Sequence, residues 1–213
     1  MKKSFLSIET SLNRIFLVLY FNESLISNSK VLENSIEVEI NKMFNDILKR
    51  AAINFFDLDY IMISLGPGSY TGTRVGLAAA KAISVSINKP VFGYTNFNAI
   101  FNQGVLDSLI RINSKIGVLI KASKYDVYYQ EINNNMFSKY QVLSINDLNS
   151  KHLMCESFLG NYSKIGELKN YSFCLPKKES ILNIFFQYLE NKNNEKYTNL
   201  EPLYIKGHYA EKK

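Results

Sequence analysis

Apolar and polar residues alternate along SFLSIET, run together in IFLVLYF and alternate again in LISNSKVL, with polar SLNR and NES between them. This spacing predicts a three-strand meander with tight turns, its middle strand buried on both faces. The period then changes. Ile36, Ile40, Met43, Phe44, Ile47, Leu48 and Ala51 fall on one helical stripe. Asn34 offers an N-cap with Glu37 three residues on, as in a capping box. Glu37 and Glu39 in the first turn, and Lys49 and Arg50 in the last, suit the helix dipole. Periodicity leaves open whether the whole stripe is covered within the chain.

Next, YIMISL predicts a buried strand running into a glycine-rich turn, and RVGLAAAKAISVSI predicts a helix from near Thr73 that is small and apolar nearly all round. Asn88-Lys89-Pro90 ends it, because proline disfavours helical geometry in the residue before it. A short strand VFGYT and a helix from about Asn96 to Ile112 complete a first lobe, 1–112. The remainder, 113–213, opens the same way: KIGVLIKAS, YDVYYQEIN and MFSKYQVLS read as a second three-strand meander. After it come a short helix near Asp147, strands at HLMCE and YSFCL, a helix over Lys178–Glu190, a polar linker NKNNEKYTN and the tail LEPLYIKGHYAEKK. The expected fold class is α/β, with two meander lobes and the second one reduced. The repetition is architectural, without an evident repeat of sequence.

Composition changes this picture little. With 213 residues, 46% of them hydrophobic, and 14 Tyr and 14 Phe, the chain is globular and can bury a core. The formal charge of +6 comes from scattered lysines, so charge alone does not call for a nucleic-acid partner. Cys155 and Cys174 lack a CxxC spacing and read as free thiols of a reducing compartment. The start MKKSFLSIETSLNR reaches polar residues too soon for a signal peptide, and no run of eighteen apolar residues occurs. A cytoplasmic protein without membrane contact is expected.

The candidate chemistry lies in SLGPGSYTGTRVG, with four glycines in eleven positions from Gly66 to Gly76. A strand, a glycine turn and a helix start can bind an anion. Three specific versions fail. A Walker A loop needs lysine after its last glycine, but Gly72 is followed by Thr73 and Arg74. The dinucleotide fingerprint places glycine where Thr71 stands, and a nucleophile elbow around Ser69 needs glycine at the positions of Pro67 and Thr71. The plain reading is that the glycines shape a turn, Ser69 or Thr71 caps the helix, and Arg74 pairs nearby. The small residues Gly76, Ala78, Ala79, Ala80, Ala82 and Ser84 mark a helix that is either deep in the core or pressed against a partner.

SLGPGSYTGTRVGLAAAKAIS closely resembles the GxGSFTGxRxG segment of the bacterial TsaB (YeaZ) family, the dimerisation subunits of the machinery that makes threonylcarbamoyladenosine in tRNA. SIETS, LIKASKYDVYY and EPLYIK resemble that family's I-D-T-x start, I-D-A-R-x-x-x-V-Y strand pair and C-terminal P-x-Y-L-R, so the resemblance runs along the whole chain. It implies an actin, Hsp70 and sugar-kinase type of fold and a non-catalytic subunit. Such a subunit pairs with the catalytic TsaD paralogue through helices here at about 35–52 and 74–88, and a TsaE-type ATPase joins them. The complex transfers a threonylcarbamoyl group from its adenylate to a tRNA adenosine, so tRNA is met through the complex.

The interface that this implies is Gly66, Gly68, Ser69, Thr71, Gly72, Arg74, Gly76, Ala79 and Ile83, with Ile40, Met43, Phe44 and Ile47 on the first helix. Glu9, Thr10 and Lys121 fall where a vestigial phosphate site is implied. Departures from the family pattern are Glu9 in place of Asp, and Lys121 and Ser123 in place of Asp and Arg. The first helix also lacks the His-x-x-x-His pair of active relatives, and the only histidines are His152 and His208. No metal site and no intrinsic cofactor are expected, and the resemblance leaves room for ATP or ADP at the partner interface. Alone, the chain is compatible with a homodimer. The alternatives are a nucleotide-binding regulator and a glycoprotease-type peptidase.

Overall fold

A computed structural model describes residues 3–32, 35–148, 154–163, 165, 168–190 and 200–205. In chain order its first elements are β1 (Phe5–Glu9), β2 (Arg14–Phe21), β3 (Ser24–Val31), α1 (Ile36–Ala51), β4 (Tyr60–Ser64), α2 (Tyr70–Ile87) and β5 (Val91–Tyr94). Then come α3 (Asn96–Leu106), β6 (Ile116–Lys121), β7 (Asp126–Asn133), β8 (Met136–Phe137) and β9 (Gln141–Ser144). The last are β10 (Ser157–Gly160), β11 (Tyr171–Phe173) and α4 (Lys178–Glu190).

Two sheets carry the same strand order. The first runs β3-β2-β1-β4-β5, antiparallel across its meander and parallel from β1 through β4 to β5. The second runs β8-β7-β6-β10-β11, with β9 also on β7, and is again antiparallel in its meander and parallel beyond β6. The duplication expected from the two meanders is therefore present at the level of topology.

Of the described residues, those within Met1–Asn96 and Ile181–Pro202 form one compact unit, and those within Phe97–Ser180 and Leu203–Lys213 form another. The division expected at 112 differs from this in two ways, both set by side-chain packing. On one face of the first sheet, Leu6, Ile8, Ile15, Leu17, Leu19, Ile61 and Ile63 share a core with α1 and α2. On the other face, Phe185 of α4 lies 4.5 Å from Phe5, 5.6 Å from Tyr60 and 6.3 Å from Phe92, ring centre to ring centre. An amphipathic helix announces its stripe but not which sheet will cover it, so α4 could not be assigned from periodicity. The second difference is α3. Its Gly104 lies against Leu159, and Cys174 reaches the carbonyl of Ile100, which ties α3 to the second sheet.

Several element bounds shift for local reasons. Asn34 lies outside the described residues, and the N-cap of α1 is Ser35, whose hydroxyl donates to the Glu37 carboxylate rather than capping a backbone N–H. That bond holds the Glu37 carboxyl below its usual range. Helix α2 begins at Tyr70, three residues before the expected start, because Ser69 accepts from the N–H of Gly72. Helix α3 stops at Leu106 rather than Ile112, since Ser108 takes a left-handed conformation and Leu109 N–H closes onto Gly104 O.

The strand expected over MFSKYQVLS splits into β8 and β9. Ser138 between them bonds β7 through its backbone N–H and side chain, with its hydroxyl accepting from Glu131 N–H. The HLMCE strand is displaced: His152 and Leu153 are outside the described residues, and β10 starts only at Ser157. There Phe158 fills the space over Gly117, where a Cβ would fall 2.5 Å from its ring. The NKNNEKYTN linker also lies outside the described residues.

Phe185→Ala is expected to destabilise the first unit by about 3–5 kcal/mol in urea unfolding, the usual cost of removing a buried aromatic ring. The neighbouring Phe186→Ala, at a half-exposed position, is expected to cost less than half of that.

Candidate functional site

Strands β1, β4 and β5 are parallel neighbours, so their carboxyl ends lie side by side and the loops after them meet. Open α/β sheets commonly place their ligands outside such strand ends. Here the β1–β2 turn (residues 10–13), the glycine loop (65–69) and the start of α3 pack into that place.

The glycine loop approaches the β1–β2 turn backbone to backbone. A Cβ on Gly68 would lie 2.4 Å from the carbonyl oxygen of Ser11, and one on Gly72 would lie 2.1 Å from that of Thr10. One on Gly76 would lie 2.2 Å from the Thr10 hydroxyl. Gly66 is required for another reason: its φ of +91° is a conformation that side chains disfavour, and the bond to Pro67 is cis. The polar groups of the helix start turn inward to the same chain. Ser69 N–H donates to Ser11 O at 2.8 Å, Thr73 N–H to Ser69 O at 2.9 Å and the Thr10 hydroxyl to Gly72 O at 2.7 Å. The Ser69 and Gly72 amides, which could have faced a phosphate, are thus engaged within the protein.

Asn96, fully buried at the first position of α3, joins these segments. Its Nδ2 donates to Ser11 Oγ at 2.7 Å and to Pro67 O at 2.9 Å. Its Oδ1 accepts from Ser64 Oγ at 2.7 Å, and its backbone N–H donates to Gly66 O at 2.7 Å. Glu9 is equally buried. Its Oε1 accepts from the N–H groups of Ser11 at 2.5 Å and Leu12 at 3.0 Å and from the Ser11 hydroxyl at 2.8 Å. Its Oε2 stands 3.7 Å from Arg14 Nε. Burial pushes the Glu9 carboxyl up in spite of Arg14 and these hydrogen bonds, and burial pulls Arg14 down in spite of Glu9. Tyr94, bonded to Ser7 through its hydroxyl at 3.0 Å, is likewise raised by burial.

The other candidate residues separate into two classes. Ile40, Met43, Phe44 and Ile47 are all buried in the core of the first unit, so the expected partner surface on α1 cannot consist of them. The stripe is covered by the sheet and by α2. Ala79 and Ile83 are half-buried against the same core, and Gly76 is buried. The exposed line along α2 is instead Thr71, Arg74, Ala78, Lys81, Ala82 and Val85, with Val85 82% exposed. Arg74 lies over the ring of Tyr70 at 3.8 Å, a cation–π contact at the start of that line.

Thr10 joins the glycine loop as described. Lys121 belongs to the second unit, where its backbone N–H donates to Asn161 Oδ1 at 2.8 Å and its side chain is exposed. Both cysteines are free; Cys174 is buried, and burial raises its thiol to about 12. Cys155 is half-buried beside the Tyr129 hydroxyl at 3.4 Å. Among the described residues no three or more His, Cys, Asp or Glu side chains gather in a way that could hold a metal ion. His152 and His208 lie outside the described residues. No described helix is long and apolar enough to cross a membrane.

A family model described as TsaD, tRNA N6-adenosine threonylcarbamoyltransferase, matches residues 30–156, more than half of the chain. The chain belongs to this family. Within it the chain falls in the TsaB (YeaZ) group. The tRNA threonylcarbamoyladenosine biosynthesis protein TsaB of Buchnera aphidicola subsp. Acyrthosiphon pisum is 26% identical over 209 residues, covering 91% of this chain and 93% of that one. TsaB of the Schizaphis graminum subspecies is 28% identical over 117 residues, and the match spans only 53% of this chain and 56% of that protein's length. The solved structure of YeaZ from Pseudomonas aeruginosa superposes with a TM-score of 0.76, covering 96% of this chain and all of that one at 15% identity. The actin-like fold class follows from this likeness and from the duplicated sheets.

Ser11, Ser64, Arg14, Tyr94 and the clamping role of Asn96 went unread in the sequence. Asn96 stands at an expected helix start, but nothing local signals a hydrogen bond to a residue 85 positions earlier. Gly72→Ala is expected to cost about 3 kcal/mol, the upper range for forcing an extra carbon into packed surroundings. Ala78→Gly, on the exposed side of the same helix, is expected to cost about 1 kcal/mol from helix propensity alone. Urea unfolding of both variants checks the difference.

Proposed function

We propose that this chain is the non-catalytic partner subunit in the synthesis of tRNA threonylcarbamoyladenosine, docking onto a TsaD-type catalytic paralogue through the outer face of α2. Involvement in that synthesis is supported by the names of the curated relatives. The observation that carries the non-catalytic part is the filling of the strand-end site by the protein itself. Glu9 Oε1 is spent on its own turn while Oε2 faces Arg14 at 3.7 Å, and the amides of Ser69, Gly72 and Thr73 are spent on Ser11 and Ser69. On this reading a TsaE-type ATPase joins the pair, tRNA is met through the assembly, and ATP or ADP belongs to the catalytic partner or to the junction with it. In the absence of the partner the same face is open to a second copy of this chain.

The docking face is supported by its shape. Thr71, Arg74, Ala78, Ala82 and Val85 recur at helical spacing, so they share one side of α2. The small side chains of Ala78 and Ala82 in this line let another helix approach closely, where many weak contacts add up. Val38 on α1 adds exposed apolar area on a helix that touches α2. A stable pair would bury roughly 1,200–2,000 Å² in all.

Ala78 and Ala82 are the sites for the test. Ala79→Glu would put a carboxylate against the core and unfold the unit for reasons unrelated to docking. Ala78→Glu combined with Ala82→Glu is expected to leave the far-ultraviolet spectrum unchanged and to weaken co-purification with the TsaD-type partner roughly a hundredfold. Charges stranded in a dry interface cost about 3 kcal/mol or more. Undiminished pairing by a folded double variant would show that α2 is not the docking face.

A further inference from the structure

We infer that Asn96 is a positioning residue for docking: its side-chain amide holds the first turn of α2 in the geometry with which that helix meets its partner. This rests on the docking reading above and names the device that presets it. The amide uses both of its donors, to Ser11 Oγ and Pro67 O, and its oxygen receives the Ser64 hydroxyl. Ser11 transmits the constraint. Its carbonyl oxygen accepts from the N–H of Ser69, and Ser69 caps α2 through Gly72 N–H at 3.2 Å. One side chain thereby ties together the buried end of β4, the buried and half-buried glycine loop, and the exposed helix cap Ser69. The rest of α2 is held independently, because Leu77, Ala80 and Ile87 are set in the core. Loss of the amide therefore frees residues 66–71 and the placement of Tyr70, Thr71 and Arg74 while leaving the helix body in place.

The energetic logic is preorganisation. A surface populated in its binding geometry only a fraction of the time binds more weakly by that fraction. A residue that merely stabilises the fold would weaken pairing only as far as it unfolds the protein.

The experiment compares full-length wild type, Asn96→Ala, the milder Ser11→Ala, and Ile184→Ala. The last removes a buried side chain from α4, away from the loop, and serves as the stability control. Two quantities are read: affinity for the purified TsaD-type partner at a temperature where all four are folded, and amide hydrogen exchange of each chain alone. The expected result is a tenfold or greater loss of affinity in Asn96→Ala and about threefold in Ser11→Ala, with no loss in Ile184→Ala. Exchange at Ser69, Gly72 and Thr73 should accelerate at least tenfold in Asn96→Ala while the amides of α1 stay protected.

Equal pairing by Asn96→Ala and wild type, or a loss matched by Ile184→Ala, overturns the inference. Should Asn96→Ala fail to fold, Ser11→Ala decides by the same two readings. If wild type itself does not pair, the docking reading falls, and exchange at those three amides alone then decides for or against the clamp.

Discussion

Thr10 and Ser11 lie backbone to backbone against Gly72 and Gly68 with no room for a single extra carbon. Much of the surrounding structure follows from that contact. It lets Ser69 N–H reach Ser11 O, which places the helix cap. It also puts the Thr10 hydroxyl on Gly72 O and beside Gly76, so the first two turns of α2 run flush over the end of β1. The small residues at 68, 72 and 76 are spaced one helical turn apart, and each meets the same two-residue turn. Only glycine meets this demand, because any Cβ would have to displace a carbonyl or a bonded hydroxyl.

Bringing backbone groups this close buries polar atoms, and buried polar atoms destabilise unless they find partners. The site meets that condition by converging hydrogen bonds. Asn96 meets Ser11, Ser64 and Pro67, and Glu9 Oε1 collects two backbone N–H groups and a hydroxyl. Glu9 and Arg14 show the limit of this arrangement. Both are shifted towards their neutral forms, since their mutual attraction at 3.7 Å does not fully offset the loss of water. An arrangement so engaged with itself holds a shape well and leaves few groups to work on a ligand. The same rigidity suits a protein whose outward face is a helix to be presented.

The two units differ in how they use one topology. In the first, both faces of the sheet are covered by helices, α1 and α2 on one side and α4 on the other. In the second, described core residues such as Leu119, Val127, Leu143 and Phe158 pack largely with loop residues, among them Ile145, Tyr162 and Leu168. Among the described residues the second sheet is met by α3, and the strand order is retained.

Alternation and helical periodicity by themselves determined the first meander, the first two strands of the second, the stripe of α1 and the span of α4, because burial of one face leaves its period in the chain. The density of glycines marked the loop as special, and its motif carried the family. What periodicity could not decide was where a covered stripe goes: it left the stripe of α1 open and the family resemblance put Ile40, Met43, Phe44 and Ile47 at a partner, yet all four are core. Nor could it reveal the role of Asn96. That residue meets Ser11 and Ser64 only because β1, β4 and β5 run parallel as neighbours and bring their carboxyl ends together. Local preferences act over a few residues, whereas a hydrogen bond between positions 11 and 96 exists only once the strand order is set.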